Sequence, residues 1–245
     1  MHAEPAAHAL AETGVEVLLR HRARRVDVDD TTAAGVTVDG GHLGAEAVVL
    51  AVPHDEAVAL LPAAAAVDAA GLRRLGSSPI VNVHVVYDRR VTGHAFVAGV
   101  GTPVQFVFDR TAASGIAAPD QRQYLAVSLS GADEYVSMST EDLRAVFAAE
   151  LARVFPSART ARIERFFVTR EPSATFRAGL GTARLRPGTR TGVAGLFLSG
   201  AWTDTGWPAT MEGAARSGQA AAAAALAAIG LGDVDNRRPH EAIPA

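Results

Sequence analysis

A strand, a loop and a helix near its C-terminal end constrain this chain more than any other segment. Leu196–Ser199 is an apolar strand that stops at Gly200, where a missing Cβ lets a ligand approach the backbone. A loop holding Trp202 and Trp207 follows, and Pro208 stiffens the entry to the helix. Ala209 or Thr210 opens that helix, which runs to about Ile229. Its first free N–H groups and its dipole face whatever lies at the N-terminus. An anion or electron-rich carbonyl there gains about 0.3–1 kcal/mol, and up to about 2 kcal/mol if partly buried. Small residues at Gly213, Ala214, Ser217 and Gly218 allow close approach to a sheet or a cofactor. The pattern suits a flat, anionic, partly apolar ligand; the competing reading is a unit whose glycines serve packing alone.

The rest of the chain alternates strand and helix signals. Glu4–Glu12 predicts a helix stopped by Gly14. Val15–Leu19 and Arg25–Val28 predict strands, and Ala34–Val38 with Gly44–Val52 predict a hairpin about Asp39, Gly40 and Gly41. Ala47–Val52 is continuously apolar, as in a strand buried on both faces. Pro53 ends it, a helix spans His54–Leu61, and Ala63–Ala70 reads as a connector. Strands follow at Pro79–Tyr87, Ala95–Ala98, Val104–Phe108, Gln123–Leu129 and Arg162–Thr169. Between the last two, Thr140–Phe155 is an amphipathic helix with Thr140 as its N-cap and Pro156 beyond its end. A sheet with one helix suggests a separate α+β module.

Composition excludes several functions. The net charge is −3 and all 23 basic residues are arginine, so no basic field invites nucleic acid. Without cysteine there is no disulfide, thiolate ligand or thiol nucleophile. No histidine pair has helical metal-ligand spacing beside a carboxylate, so no metal is expected. Met1–Leu19 has no secretory pattern. The apolar stretch Ala45–Val67 is broken by charges and prolines, which argues against a membrane span. The expected location is cytoplasmic, with peripheral contact at the inner face of the membrane left open.

Residues Met211, Glu212, Gly213 and Ala214, then Ser217-Gly218 and Ala220-Ala221, resemble the flavin-binding C-terminus of the phytoene desaturase and amine oxidase superfamily. The run from Trp202 through Asp204, Gly206, Trp207 and Pro208 to Thr210 is more specific. It resembles squalene-associated FAD-dependent desaturases, the hydroxysqualene dehydroxylases of hopanoid biosynthesis. Three upstream stretches are similar to the same family: Ser78–His84, the stretch ending Phe108-Asp109-Arg110, and Arg170-Glu171-Pro172 with Ala174-Thr175-Phe176.

The resemblance implies an α/β fold: an incomplete, Rossmann-like FAD-binding domain with an inserted α+β substrate-binding domain. Residues 1–62 and 195–229 would be fragments of the former, residues 73–194 the latter, and residues 230–245 a disordered tail. The implied cofactor is FAD. Gly200 and Ala201 would approach its ribityl–pyrophosphate part, with Trp202 beside them. Ala209, Thr210 and Met211 would offer amides to the flavin's pyrimidine edge, flanked by Pro208, Glu212 and Gly213. Val26 would lie near the adenine, and Ala51, Val52 and Pro53 would form the turn beside the dinucleotide. Many relatives carry an acidic residue where this chain has Ala201, which leaves that contact to backbone or water.

No Gly-x-Gly-x-x-Gly unit stands between a strand and a helix; Gly99 and Gly101, like Gly179 and Gly181, read as turns. The expectation is a chain that is truncated, mis-started or encoded apart from its N-terminal FAD-binding half, which would then be a partner. Asp204 is a candidate proton donor or a turn cap. Trp202 and Trp207 either line an apolar substrate tunnel or pack. His84 reads as a hydrogen-bonded structural histidine, and Asp55, after His54, as a helix cap. In the parent enzyme the resemblance implies hydride delivery to hydroxysqualene with loss of its hydroxyl as water, giving squalene. The alternatives are a desaturase acting on a carotenoid precursor, an amine oxidase, an inactive fragment or subunit, and a lipid-binding module without redox chemistry.

Overall fold

The computed structural model describes residues 3–115 and 122–231. The tail expected to be disordered lies, from residue 232 onward, outside the described residues. The chain forms two compact units, Met1–Leu75 with Ala178–Ala245, and Gly76–Arg177.

In the first unit α1 (Ala3–Glu12) precedes an antiparallel meander of β1 (Ala23–Asp29), β2 (Thr32–Val38) and β3 (Gly41–Gly44). Val38 faces Gly41 across the turn predicted at Asp39 and Gly40. Asp27 ties the three strands together. Its carboxylate accepts from Thr37 Oγ1 (2.7 Å) and Arg25 Nε (2.7 Å) and lies 2.8 Å from His42 Nδ1. The hydrogen bonds from Thr37 and Arg25 hold it down to about 2.

Two expectations for this region need correcting. Val15–Leu19 forms no strand; its side chains are exposed, and no strand lies beside it among the described residues. Gly44–Val52 is not a single hairpin arm either. The hairpin ends at Gly44, and β4 (Val48–Leu50) belongs to another sheet, paired in parallel with β10 (Leu196–Leu198). A parallel partner must come from far along the chain, so no local turn signal announces it.

Helices α2 (His54–Leu60) and α3 (Ala69–Leu75) follow. The start of α3 lies in the stretch read as connector, where Asp68 Oδ1 accepts from the Gly71 amide at 2.8 Å. Asp55 occupies the first turn of α2 instead of its cap, a position held by Pro53 without a side-chain bond. Helix α5 (Met211–Ala228) closes the unit, packing Ala221 and Ala224 on Phe197.

The second unit is a five-stranded antiparallel sheet ordered β6-β7-β8-β5-β9. Its strands are β5 (Ser77–Tyr87), β6 (Phe96–Ala98), β7 (Phe106–Asp109), β8 (Gln123–Ser130) and β9 (Ile163–Phe176). Alternation aims Val81, Val83 and Val85 at one face, together with Leu125, Val127 and Leu129. Helix α4 (Thr140–Val154) meets them with Leu143, Phe147 and Leu151, four residues apart and so on one face. Each such side chain contributes about 1.5–3 kcal/mol on burial. The N-cap of α4 is Ser139 and not Thr140: its Oγ accepts from the Asp142 amide at 3.0 Å. Buried Gln123 satisfies both ends of its amide, accepting from the Val91 and Thr92 amides and donating to Thr92 O and Asp109 Oδ2.

By its contacts the second unit spans Gly76–Arg177, where the sequence suggested a substrate-binding domain over residues 73–194. Ala178–Ala194 groups with the first unit because its residues hydrogen-bond there: Leu198 N donates to Thr189 O (2.7 Å), and Asp204 N to Pro187 O (2.8 Å).

Candidate cofactor site

The parallel pair β4 and β10 carries the candidate site at its C-terminal end. Leu198 pairs with Leu50, and the Ser199 amide donates to Leu50 O at 3.0 Å. The chain then turns at Gly200, with φ +147°, into the loop that leads to α5.

Three anchors shape that loop. Trp202, only 4% exposed, donates from its indole Nε1 to Val52 O at 2.8 Å and so bridges the two strand ends. A Cβ on Gly200 would sit 2.4 Å from that nitrogen. The missing Cβ therefore makes room for the chain's own indole. Second, Ser217 on α5 accepts from the Gly200 amide at 2.8 Å and lies 3.1 Å from Ser199 Oγ, which latches the strand end to the helix. Third, Arg186 donates through Nη1 to Trp207 O (2.8 Å) and through Nη2 to Ala201 O (3.1 Å) and Thr203 O. One guanidinium thus gathers three carbonyls of one loop, which an ammonium could not match in geometry.

The helix mouth stays open. Thr210 is the N-cap, its Oγ1 accepting from the Gly213 amide at 3.1 Å. Gly213 is buried, and a Cβ there would sit 2.6 Å from Pro208 O. The Met211 and Glu212 amides have no acceptor among the described residues, and the Met211 side chain is 72% exposed. Glu212 is drawn off the mouth by Arg216 Nε at 2.8 Å, whose guanidinium carbon also lies 4.4 Å from the Trp207 ring centroid. Asp204 accepts at Oδ1 from the Gly206 amide at 3.3 Å, the bond of a turn.

The structure therefore brings Ala51, Val52, Pro53, Gly200, Ala201, Trp202 and Thr210–Gly213 to one end of one sheet. Pro208 and Ala209 lie on the loop just before the helix. Val26 is buried in β1 and lines a cavity of about 530 Å³ with Asp27, Thr37 and Pro62. Of the two roles weighed for Trp202, its contacts describe packing; Trp207 is exposed on the loop.

The profile of the flavin containing amine oxidoreductase family matches residues 3–226. The chain belongs to this family. Hydroxysqualene dehydroxylase of Rhodopseudomonas palustris is 35% identical over 235 residues, covering 92% of this chain and 50% of that protein. The 15-cis-phytoene desaturase of Synechococcus elongatus is 29% identical, covering 75% of this chain and 40% of its own length. Among solved structures, an oxidoreductase from Methanosarcina mazei superposes with a TM-score of 0.68 at 18% identity, covering 89% of this chain and 52% of that one. The chain spans about half the length of the relatives it matches.

The family is one of FAD-dependent oxidoreductases, and its cofactor is FAD. The residues present fit part of such a group: free amides at a helix N-terminus suit an electron-rich ring edge, and no acidic side chain competes for them among the described residues. Sequence reasoning missed Arg186. In a loop-like stretch, nothing distinguishes it from the chain's other arginines. In the sequence Ser217 stands out as a small residue and as part of the family signature; the structure adds the hydroxyl that holds Ser199 and Gly200.

Proposed function

We propose that this chain is the C-terminal part of an FAD-dependent oxidoreductase of polyprenyl lipids, whose reaction is the reductive dehydroxylation of hydroxysqualene to squalene. The observation that carries the reading is the open mouth of α5, with two free amides beside the paired ends of β4 and β10. Bound FAD supplies two-electron chemistry as a hydride donor or acceptor. The Met211 and Glu212 amides would donate to its electron-rich edge and would favour negative charge there. Arg186 and Trp202 keep the loop from relaxing across the mouth. The likeness to hydroxysqualene dehydroxylase exceeds that to the desaturase and favours the dehydroxylation reading over desaturation.

A dinucleotide also needs a Gly-rich turn for its pyrophosphate, and we infer that a second, N-terminal half supplies it against the outer edge of β4. Residues 48 and 50 turn their backbone groups toward β10, so Val49 turns its own outward. Val49 is 41% exposed in an otherwise apolar run, and no strand covers that side among the described residues. An apolar, unpaired edge of this kind suits pairing with another strand. Among the described residues no helix is long and apolar enough to cross a membrane.

The decisive experiment combines this chain, a complementing half carrying the Gly-rich unit, FAD and a reductant, and supplies hydroxysqualene, phytoene or an amine in turn. Squalene formed from hydroxysqualene is the expected product. Turnover of only phytoene or only the amine would replace the substrate, and no flavin spectrum in any combination would remove the cofactor reading.

A further inference from the structure

The face of the second unit's sheet turned away from α4 carries a row of side chains that the core does not use. Strand registers place Phe96 opposite Phe108, Phe108 opposite Ala126, Ala126 opposite His84, and His84 opposite Phe167. The row crosses all five strands, about 19 Å at the usual spacing of about 4.8 Å. Phe96, Phe108 and Phe167 are exposed, and the small Ala126 leaves a dip between Phe108 and His84.

One polar cluster interrupts this apolar band. His84 stacks on Phe167, with centroids 4.5 Å apart and planes 11° from parallel. Its Nδ1 lies 2.8 Å from Tyr124 Oη and its Nε2 3.2 Å from Thr169 Oγ1, which also accepts from Asn82 Nδ2 at 3.4 Å. Partial burial lowers the His84 pKa, favouring the neutral ring. A neutral imidazole has one donor and one acceptor, so two arrangements exist. If Nδ1 accepts from Tyr124, Nε2 donates to Thr169; Thr169 then keeps an O–H to give, and Tyr124 an oxygen to accept with. If the tautomer is reversed, Tyr124 keeps the O–H and Thr169 the lone pair. Either way the cluster presents one donor and one acceptor outward, the complement of a single hydroxyl group.

We propose that this sheet face binds an elongated apolar polyprene alcohol, with the Tyr124–His84–Thr169 cluster selecting for its hydroxyl. Phe96, Phe108 and Phe167 hold the hydrocarbon, which offers nothing else to recognise. A fully apolar chain of equal length fills the same row but leaves the cluster's two groups desolvated and unmatched. This proposal rests on the polyprenyl reading above and adds what distinguishes substrate from product.

The test is equilibrium dialysis of the 245-residue chain with hydroxysqualene and with squalene, at fixed detergent. The expected result is about tenfold tighter binding of the alcohol, the order of effect of one or two neutral hydrogen bonds. The double variant Tyr124→Phe with Thr169→Val brings the ratio below about twofold with squalene affinity unchanged, and Thr169→Ser in place of Thr169→Val restores part of it. Phe108→Ala weakens both ligands alike. An unchanged melting temperature for Tyr124→Phe separates these effects from unfolding. Equal binding of both ligands by the unaltered chain, or a preference that survives the double variant, overturns the cluster's role and leaves the polyprenyl reading standing. Binding of neither ligand overturns the sheet-face proposal, and product formation with the complementing half then decides the polyprenyl reading separately.

Discussion

Arg186 illustrates how one side chain can organise a loop that has no regular structure. Its guanidinium satisfies carbonyls from Ala201, Thr203 and Trp207, groups that no ladder or helix would otherwise engage. Arg186→Ala is expected to lower stability by about 2–4 kcal/mol, read as a reduced urea midpoint at constant slope. Arg186→Lys should recover only part of that loss, since a point charge cannot span the fork. An unchanged midpoint in the alanine variant would show that the loop holds itself. Asp27 gives a pH-dependent counterpart. Its folded pKa is depressed from 3.8 to about 2, so the native state binds fewer protons than the unfolded chain in that interval. The stability it supplies is present above about pH 4 and lost as pH falls through about 2. Asp27→Asn is therefore expected to flatten the melting temperature against pH between those limits. Asp88, also held at about 2 by Arg89 and the Arg162 amide, should preserve a residual slope.

Among the elements, β4 is incomplete in a way that β10 is not. The far side of β10 is engaged by Thr189 and by a bridge between Arg190 and Phe197. The far side of β4 has no strand among the described residues. Proline fits an edge strand when its missing N–H would have pointed outward, as that of Val49 does. Val49→Pro is expected to leave the chain's own melting temperature within a few degrees while abolishing recruitment of a complementing half in a pull-down. A variant that still recruits would place the partner elsewhere. Helix α4 offers a local measurement: Ser139→Ala should destabilise by about 1 kcal/mol, through loss of the bond to the Asp142 amide. Thr140→Ala, at the position first expected to cap, should cost less.

On the scale of the whole molecule, the chain leaves its first unit after Leu75, builds an antiparallel sheet and one long helix, and returns at Ala178. The two units then divide the labour of the proposed function, one offering amides and the other an aromatic face. Titrating the purified chain with FAD is expected to give weak binding or none by visible absorbance, because the pyrophosphate turn is missing from the sequence. Adding the complementing half should raise the affinity at least about a hundredfold, the scale of joining two halves of one site. Tight binding by the chain alone would show that the α5 mouth and the loop suffice.

Whatever depends on neighbours in the chain was legible before any coordinates. The turn at Asp39 and Gly40, the alternation of β5, the heart of α4 and the final strand, loop and helix all follow from local periodicity and from residues with restricted backbones. Such signals act over a few residues, which is why the family could be recognised from the Trp202–Thr210 segment and its flanks. The pairing of β4 with β10, the three-carbonyl grip of Arg186 and the aromatic row ending at Phe167 were not legible. Each joins residues far apart in sequence, and their registers are set by packing. The order of residues determined what kind of cofactor edge this chain could meet; folding alone decided which side chains stand around it and which strand edge was left open.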